Sequence, residues 1–333
     1  MTYKKNLILL AILLLVGVIG YLLFHPENLF PGQSHTDISK TIGRQVLVQT
    51  DVIEKPETRK PDYKYSIDCD RRIPQGVATY QDKLYVSYNQ LNIIDIFDYQ
   101  GKRLEMFVPY QQRPINIVAL EVDRQGNVYL IDTKNKTTMV FDQNNSFLYL
   151  FPPNNIKPSS EGYVELPISI TIQNTFIFIT DMEDKSVKMY SLTGEYLMSI
   201  KGSGKGEAQA WTPVAVDQTK DGRLIVSDIM AKNIAVFSCD GKFAHIFNDA
   251  EGSLKLSAPV AMAIDSLGRI HVVDNDKTLV FVYDNYGRFL FTYGESDTSE
   301  AVIQGPRSIA IDKIRDLIFI ANSMSKNISV WSY

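Results

Sequence analysis

Three columns of punctuation recur through the C-terminal four-fifths of this chain, and together they leave few folds open. The first closes a short apolar run: Tyr88, Asp132, Asp181, Asp228, Asp274 and Asn322, spaced by 44, 49, 47, 46 and 48 residues. The second follows 13 residues later at Gly101, Asn145, Gly194, Gly241 and Gly287, typically after an aspartate such as Asp98, Asp142, Asp240 or Asp284. A tight turn there calls for positive φ, which Gly adopts freely and Asn tolerates. The third opens each copy at Pro74, Ile117, Pro167, Trp211, Pro259 and Pro306; proline suits the first residue of a strand. The clearest copies run from Asp123 to Asp132, Asp217 to Asp228 and Asp265 to Asp274, each a strand end, a polar turn and an apolar strand.

A period near 46 with four strand-sized segments per copy is the pattern of a propeller blade. Residues 63–333, 271 in all, hold six such copies. The expected fold is therefore all-β, a six-bladed β-propeller with four-stranded antiparallel blades, preceded by one N-terminal transmembrane helix. The 18 Tyr and 16 Phe agree with strands. The last copy ends in its third strand, Ile328 to Tyr333, so its outer strand has to come from elsewhere. Tyr63 to Ile67 is the natural donor and Gln45 to Val52 the fallback; either joins the chain ends in one blade and removes an open edge.

The N-terminus reads as an anchor. Lys4 and Lys5 precede an uncharged run from Leu7 to Phe24, which as a helix spans roughly 27 Å, close to the hydrocarbon thickness of a bilayer. The run exceeds a signal-peptide core, and no A-x-A site follows it. Lysines ahead of the helix place the N-terminus in the cytoplasm and the rest outside, periplasmic in a double-membrane bacterium. The expected order is a short cytoplasmic segment (1–6), a transmembrane helix or signal anchor (7–24), an extracytoplasmic linker rich in proline and charge (25–62) and the propeller (63–333). A net charge of −4 argues against a nucleic-acid partner. Cys69 and Cys239 fall on nearly opposite blades, too far apart for a disulfide, and are expected as separate thiols.

These columns resemble the NHL-repeat family of propellers. Ala258 to Asp265 and on to Asp284-Asn285-Tyr286-Gly287 follow its pattern almost throughout, and the loop from Lys201 to Trp211 is similar to its glycine-rich inter-blade loop. Departures are Tyr88 in place of the usual Asp, Asn145 in place of Gly, and Ser186, Asn233, Leu279 and Asn327 where the third strand often starts with Arg. The resemblance implies the fold. It leaves function open, because such propellers include scaffolds, sensors, RNA binders and lyases.

The candidate chemistry is sparse. The Asp column reads as turn capping, each carboxylate bonded to nearby backbone N–H groups. His271 sits where other blades place a large packed side chain, His245 lies in an outer strand, and His25 and His35 lie in the linker; no three converge on a zinc ion. The amidating lyases of this group resemble such a zinc design, which this chain does not match. No nucleophile motif occurs, and the segment Gly202 to Glu207 lacks phosphate-loop spacing. Resemblance to the lactonase-like propellers implies the enzymatic alternative, a hydrolase or lyase holding Ca2+ or another divalent ion in the central channel. Glu183, Asp184, Asn233, Asn275 and Asp276 are the hard ligands on offer. Lys136, Lys185, Lys232 and Lys326 each follow the first column by four residues, so four blades present an amine on one face. The reading is a protein-binding or scaffold module whose partner lies in or near the membrane, with those lysines as the contact set, no catalytic residue, no bound metal and no cofactor.

Overall fold

A computed structural model describes residues 58–109, 115–152, 160–173, 175–202, 211–247, 255–295 and 303–333. The expected anchor, most of the linker and the strand expected at Gln45 to Val52 lie outside the described residues. Among the described residues no helix is long and apolar enough to cross a membrane.

The described strands, β1 to β24 in chain order, form six four-stranded antiparallel sheets. Blade 1 is β2 (Pro74–Tyr80), β3 (Lys83–Tyr88), β4 (Ile94–Asp98) and β5 (Arg103–Phe107). Blade 2 is β6 (Ile117–Val122), β7 (Val128–Asp132), β8 (Thr137–Phe141) and β9 (Phe147–Phe151). Blade 3 is β10 (Pro167–Ile172), β11 (Phe176–Asp181), β12 (Ser186–Ser191) and β13 (Tyr196–Lys201). Blade 4 is β14 (Pro213–Gln218), β15 (Leu224–Asp228), β16 (Asn233–Phe237) and β17 (Phe243–Phe247). Blade 5 is β18 (Pro259–Ile264), β19 (Ile270–Asp274), β20 (Leu279–Tyr283) and β21 (Phe289–Tyr293). Blade 6 is β22 (Pro306–Asp312), β23 (Leu317–Asn322) and β24 (Asn327–Ser332), completed by β1 (Asp62–Asp68) from the other end of the chain.

The expected closure is present: β1 runs antiparallel to β24, from Asp62 opposite Ser332 to Asp68 opposite Asn327. Inner strands pack in sequence around the ring, and β22 returns against β2. Second and third strands are buried on both faces and so read as continuous apolar runs, as in Val128–Asp132 and Leu279–Tyr283. In blades 1, 2 and 4 the outer strand is largely exposed except at its last residue, where Phe107, Phe151 and Phe247 turn inward. Apolar clusters fill the seams between blades, and each fully buried large side chain contributes about 1.5–3 kcal/mol. At the closing seam the Tyr99 ring lies 4.9 Å from that of Phe319, and its hydroxyl donates to Asp312 Oδ2 at 2.9 Å.

The second column behaves as expected: Gly101, Asn145, Gly194, Gly241 and Gly287 have φ of 88, 62, 83, 76 and 86°. The third column needs one correction. In blade 4 the strand opens at Pro213, paired with Asp228, and not at Trp211. Trp211 instead packs edge-on against Phe237 in the seam. The same two-residue displacement affects Asp217. The turn that Asp123 and Asp265 begin in blades 2 and 5 is begun in blade 4 by Thr219, whose N–H and carbonyl close on Arg223 and Gly222. Asp217 lies inside β14. A strand pattern repeats every two residues, so a shift of two leaves the pattern intact while moving every assignment.

Candidate functional site

The turns joining second to third strands all lie at one end of the disc, with the aspartate column at their base. Each aspartate accepts at least three backbone N–H groups. Asp132 Oδ1 accepts from the N–H of Asn116, Lys134 and Asn135 at 2.9, 3.0 and 3.3 Å. The Asp181 carboxylate accepts from Glu165, Leu166 and Asp184. That of Asp228 accepts from Thr212, Met230 and Ala231, and that of Asp274 from Ser257, Ala258 and Lys277. Each therefore staples its own turn to the loop entering the same blade. Blade 1 solves the problem differently: Tyr88 donates its hydroxyl to Asp95 Oδ2 at 2.7 Å, and Arg72 pairs with that carboxylate at 2.8 Å while lying over the Tyr88 ring.

The four lysines stand on these turns, exposed, with φ of 55, 51, 56 and 56° for Lys136, Lys185, Lys232 and Lys326. Lys136 donates to Glu165 Oε2 at 3.0 Å, which raises its pKa. Lys185, Lys232 and Lys326 form no ion pair with a described residue. Beside them stand side chains that charge patterning alone does not pick out. Met182, Met230 and Met324 are 36, 66 and 74% exposed on the turns of blades 3, 4 and 6. Their signal was present as an apolar residue two or three positions before each lysine.

Three of the oxygen ligands expected for a divalent ion, Asp184, Asn275 and Asp276, are bonded within the protein. Asp184 accepts from Lys188 and Lys201 at 2.5 and 3.1 Å. Burial opposes ionisation of that carboxyl, but these lysines and Ser186 hold it down to about 2. Asn275 donates to the Pro306 carbonyl, and Asp276 accepts from the Ser257 hydroxyl. Among the described residues no three His, Cys, Asp or Glu side chains gather in a metal-binding group.

The central channel is walled by the first strand of each blade. All six carry a register irregularity after their first residue, a bulge that redirects a side chain. The redirected residues, Gln75, Val118, Ile168, Val214, Val260 and Arg307, line a cavity of about 230 Å³. Next comes a small-residue level, Gly76, Ala119, Ser169, Ala215, Ala261 and Ser308, set by the same register. Two residues further along lies the level Ala78, Glu121, Thr171, Asp217, Ala263 and Ala310. All six of these line a second cavity of about 240 Å³ near the other mouth, with Gln173, Arg124 and Lys313.

That level is asymmetric. Blades 5, 6 and 1 contribute methyl groups, while blades 2, 3 and 4 contribute Glu121, Thr171 and Asp217. Asp217 is held firmly: Gln173 Nε2 and the Gln218 N–H donate to Oδ1 at 2.7 Å, and the Ile264 N–H of blade 5 donates to Oδ2 at 3.1 Å. Burial raises its pKa, opposed by Lys313 and by these bonds. Thr171 donates its hydroxyl to the Val216 carbonyl at 2.6 Å. The half-buried Glu121 makes no hydrogen bond to a described residue; burial, then the Asp217 charge, push its pKa up to about 8 against the pull of Lys313.

His271 packs as expected, fully buried at the seam with blade 6, but within a polar chain. Its Nδ1 lies 3.0 Å from the Tyr293 hydroxyl, and its Nε2 3.2 Å from both Asp265 Oδ2 and the Tyr333 hydroxyl. Burial lowers its pKa, partly offset by Asp265. Both cysteines are free, with Cys69 buried and Cys239 exposed; burial pushes the Cys69 thiol up to about 12.

No protein-family model matches the chain, and no curated protein matches it. Solved structures do. A streptogramin B lyase is similar with a TM-score of 0.58 at 14% identity, covering 82% of this chain and 96% of that one. Virginiamycin B lyase from Staphylococcus aureus is similar with a TM-score of 0.62 at 13% identity, covering 82% and 100%. The WD40 β-propeller domain of Doa1 gives 0.55 at 12%, covering 78% of each chain. Likeness at these identities carries the fold and leaves function to the site itself.

Proposed function

We propose that this six-bladed propeller is an NHL-type protein-binding module held outside the cytoplasmic membrane by its N-terminal apolar segment, and that it meets its partner with the second-to-third-strand turns. One observation carries this reading. Three blades present on the same turn an exposed methionine and a lysine without an ion pair among the described residues: Met182 with Lys185, Met230 with Lys232, and Met324 with Lys326. Methionine adapts its shape to a partner surface and is enriched in interfaces. The ammonium groups favour an acidic partner and speed encounter. The left-handed backbone at each lysine suits Gly or Asn better, yet the chain places lysine there in four blades. In blades 2 to 4 each such turn rests on a buried aspartate bonded to backbone N–H groups, which gives those three turns a rigid base.

The test is crosslinking and affinity capture of the full-length protein in its native membrane, read by mass spectrometry. Two controls change Lys136, Lys185, Lys232 and Lys326 to Ser, or Met182, Met230 and Met324 to Ser. The expected result is a partner retained by the native chain and lost by both controls. A partner equally retained by both overturns the choice of face. A stoichiometric divalent ion bound with no partner at all replaces this reading with the metal-dependent hydrolase or lyase.

A further inference from the structure

The opposite mouth of the channel carries chemistry that a protein-binding face does not use. We infer that it binds a small organic ammonium, with the cationic head between Glu121 and Asp217 and the hydrocarbon against Ala78, Ala263 and Ala310. These residues occupy one level of the ring and line one cavity of about 240 Å³. Its polar half and its methyl half face each other across the axis, which is the division an alkylamine presents.

The acceptors match a primary ammonium in number. Asp217 Oδ1 already accepts two N–H groups, but Oδ2 accepts one, from Ile264, and keeps a lone pair. The Thr171 hydroxyl spends its proton on the Val216 carbonyl and keeps its acceptor capacity. Glu121 has no hydrogen-bond partner among the described residues. Three acceptors meet the three N–H bonds of an alkylammonium. The charges nearby do not fill this role. Lys313 acts on both carboxyls at a distance, without an ion pair to either, and Arg124 stands at the rim of the same cavity. An anion entering here meets the Asp217 carboxylate. A divalent ion finds two carboxyls, one already committed to three donors, where hard cations gather more oxygens.

Proton bookkeeping gives a signature. Unliganded Glu121 keeps its proton near neutrality because of burial and the Asp217 charge. An arriving ammonium favours the carboxylate, so Glu121 releases one proton to solvent as the N–H···O bonds form, and no other bond changes. Apparent affinity then rises with pH by about tenfold per unit below the Glu121 pKa and levels off above it.

The test uses butylammonium and butyrate as probes on the full-length protein. Saturable binding is followed by NMR at pH 6 and pH 8, and heats are compared in phosphate and Tris buffers. We expect butylammonium to bind more than tenfold tighter at the higher pH, with proton release visible as a buffer-dependent heat, and butyrate not to bind. Glu121→Gln is expected to abolish the pH dependence and weaken binding at least tenfold. Ala263→Leu, which fills the methyl half without touching a charge, is expected to block binding at both pH values. Butyrate binding as well as the amine, or amine binding without proton release in the native chain, overturns the inference, as does absence of saturable binding. These outcomes are independent of partner capture on the opposite face.

Discussion

Two sets of carboxyls in this disc are treated differently: the aspartates under the second-to-third-strand turns, and the pair Glu121 and Asp217 at the channel mouth. Under the second-to-third-strand turns, Asp132, Asp181, Asp228 and Asp274 each collect at least three backbone N–H donors, so their charge is engaged inside the protein. At the channel mouth Asp217 is held, but Glu121 beside it is bonded to nothing described and keeps its proton near neutrality. The difference separates scaffold from site. A carboxylate that gathers backbone donors from its turn and from the loop entering its blade fixes that loop, whereas a carboxyl left without donors in a cavity is available to something else.

The largest test of this contrast is Asp274→Ala. It strands the N–H groups of Ser257, Ala258 and Lys277, and we expect a loss of about 3 kcal/mol or more, read from the denaturant midpoint at constant m. A loss under about 0.5 kcal/mol would mean the staples are ornamental and would erase the distinction.

Glu121→Gln sharpens the other side. With its folded pKa raised to about 8 above an unfolded value near 4.3, native Glu121 binds more protons folded than unfolded between those limits. Its contribution is therefore fully present below the unfolded value, falls as pH rises through the window, and is gone above the folded value. Urea unfolding at pH 5 and pH 9 is expected to show the native chain losing about 1–3 kcal/mol more than the Gln variant across that interval, a range reduced because the carboxyl opens toward solvent. Equal slopes for the two proteins would place Glu121 with the ordinary surface carboxylates.

The smallest effect concerns the turns themselves. Lys185→Gly and Lys232→Gly relieve a left-handed backbone at φ of 51 and 56°, and a gain of up to about 1 kcal/mol each is expected in thermal melts. A loss instead would show that these side chains support the turn they stand on.

The architecture was legible because each blade repeats the same physical demands. A turn needing positive φ selects Gly or Asn, and a strand end closing on backbone donors selects Asp. Tyr63 to Ile67 was recognisable as the closing strand because the last copy stops one strand short. The channel site was not legible, for a reason local to blade 4. Asp217 imitates the turn aspartate of its neighbours and Trp211 stands near the place of their proline, so the first strand of that blade reads two residues early. Only pairing with β15 shows that Asp217 shares a level with Glu121, and no periodicity in the sequence reports which blades face each other across an axis. The exposed methionines were hidden differently, since an apolar residue in a short turn carries no mark of whether it is covered.

The closure of blade 6 also sets a timetable. β1 pairs with β24, so Asp62 finds Ser332 only after some 270 further residues have been made. At about 5–20 residues per second that interval is tens of seconds. During synthesis each of blades 1 to 5 can complete its four strands as its own segment emerges, while β1 waits as an unpaired edge. Blade 6 is then the last to assemble, and the ring exists only once its first-made strand has met its last-made one. A nascent-chain chaperone acting on this protein has one segment above all to shield, residues 62–68, and one moment at which to let it go.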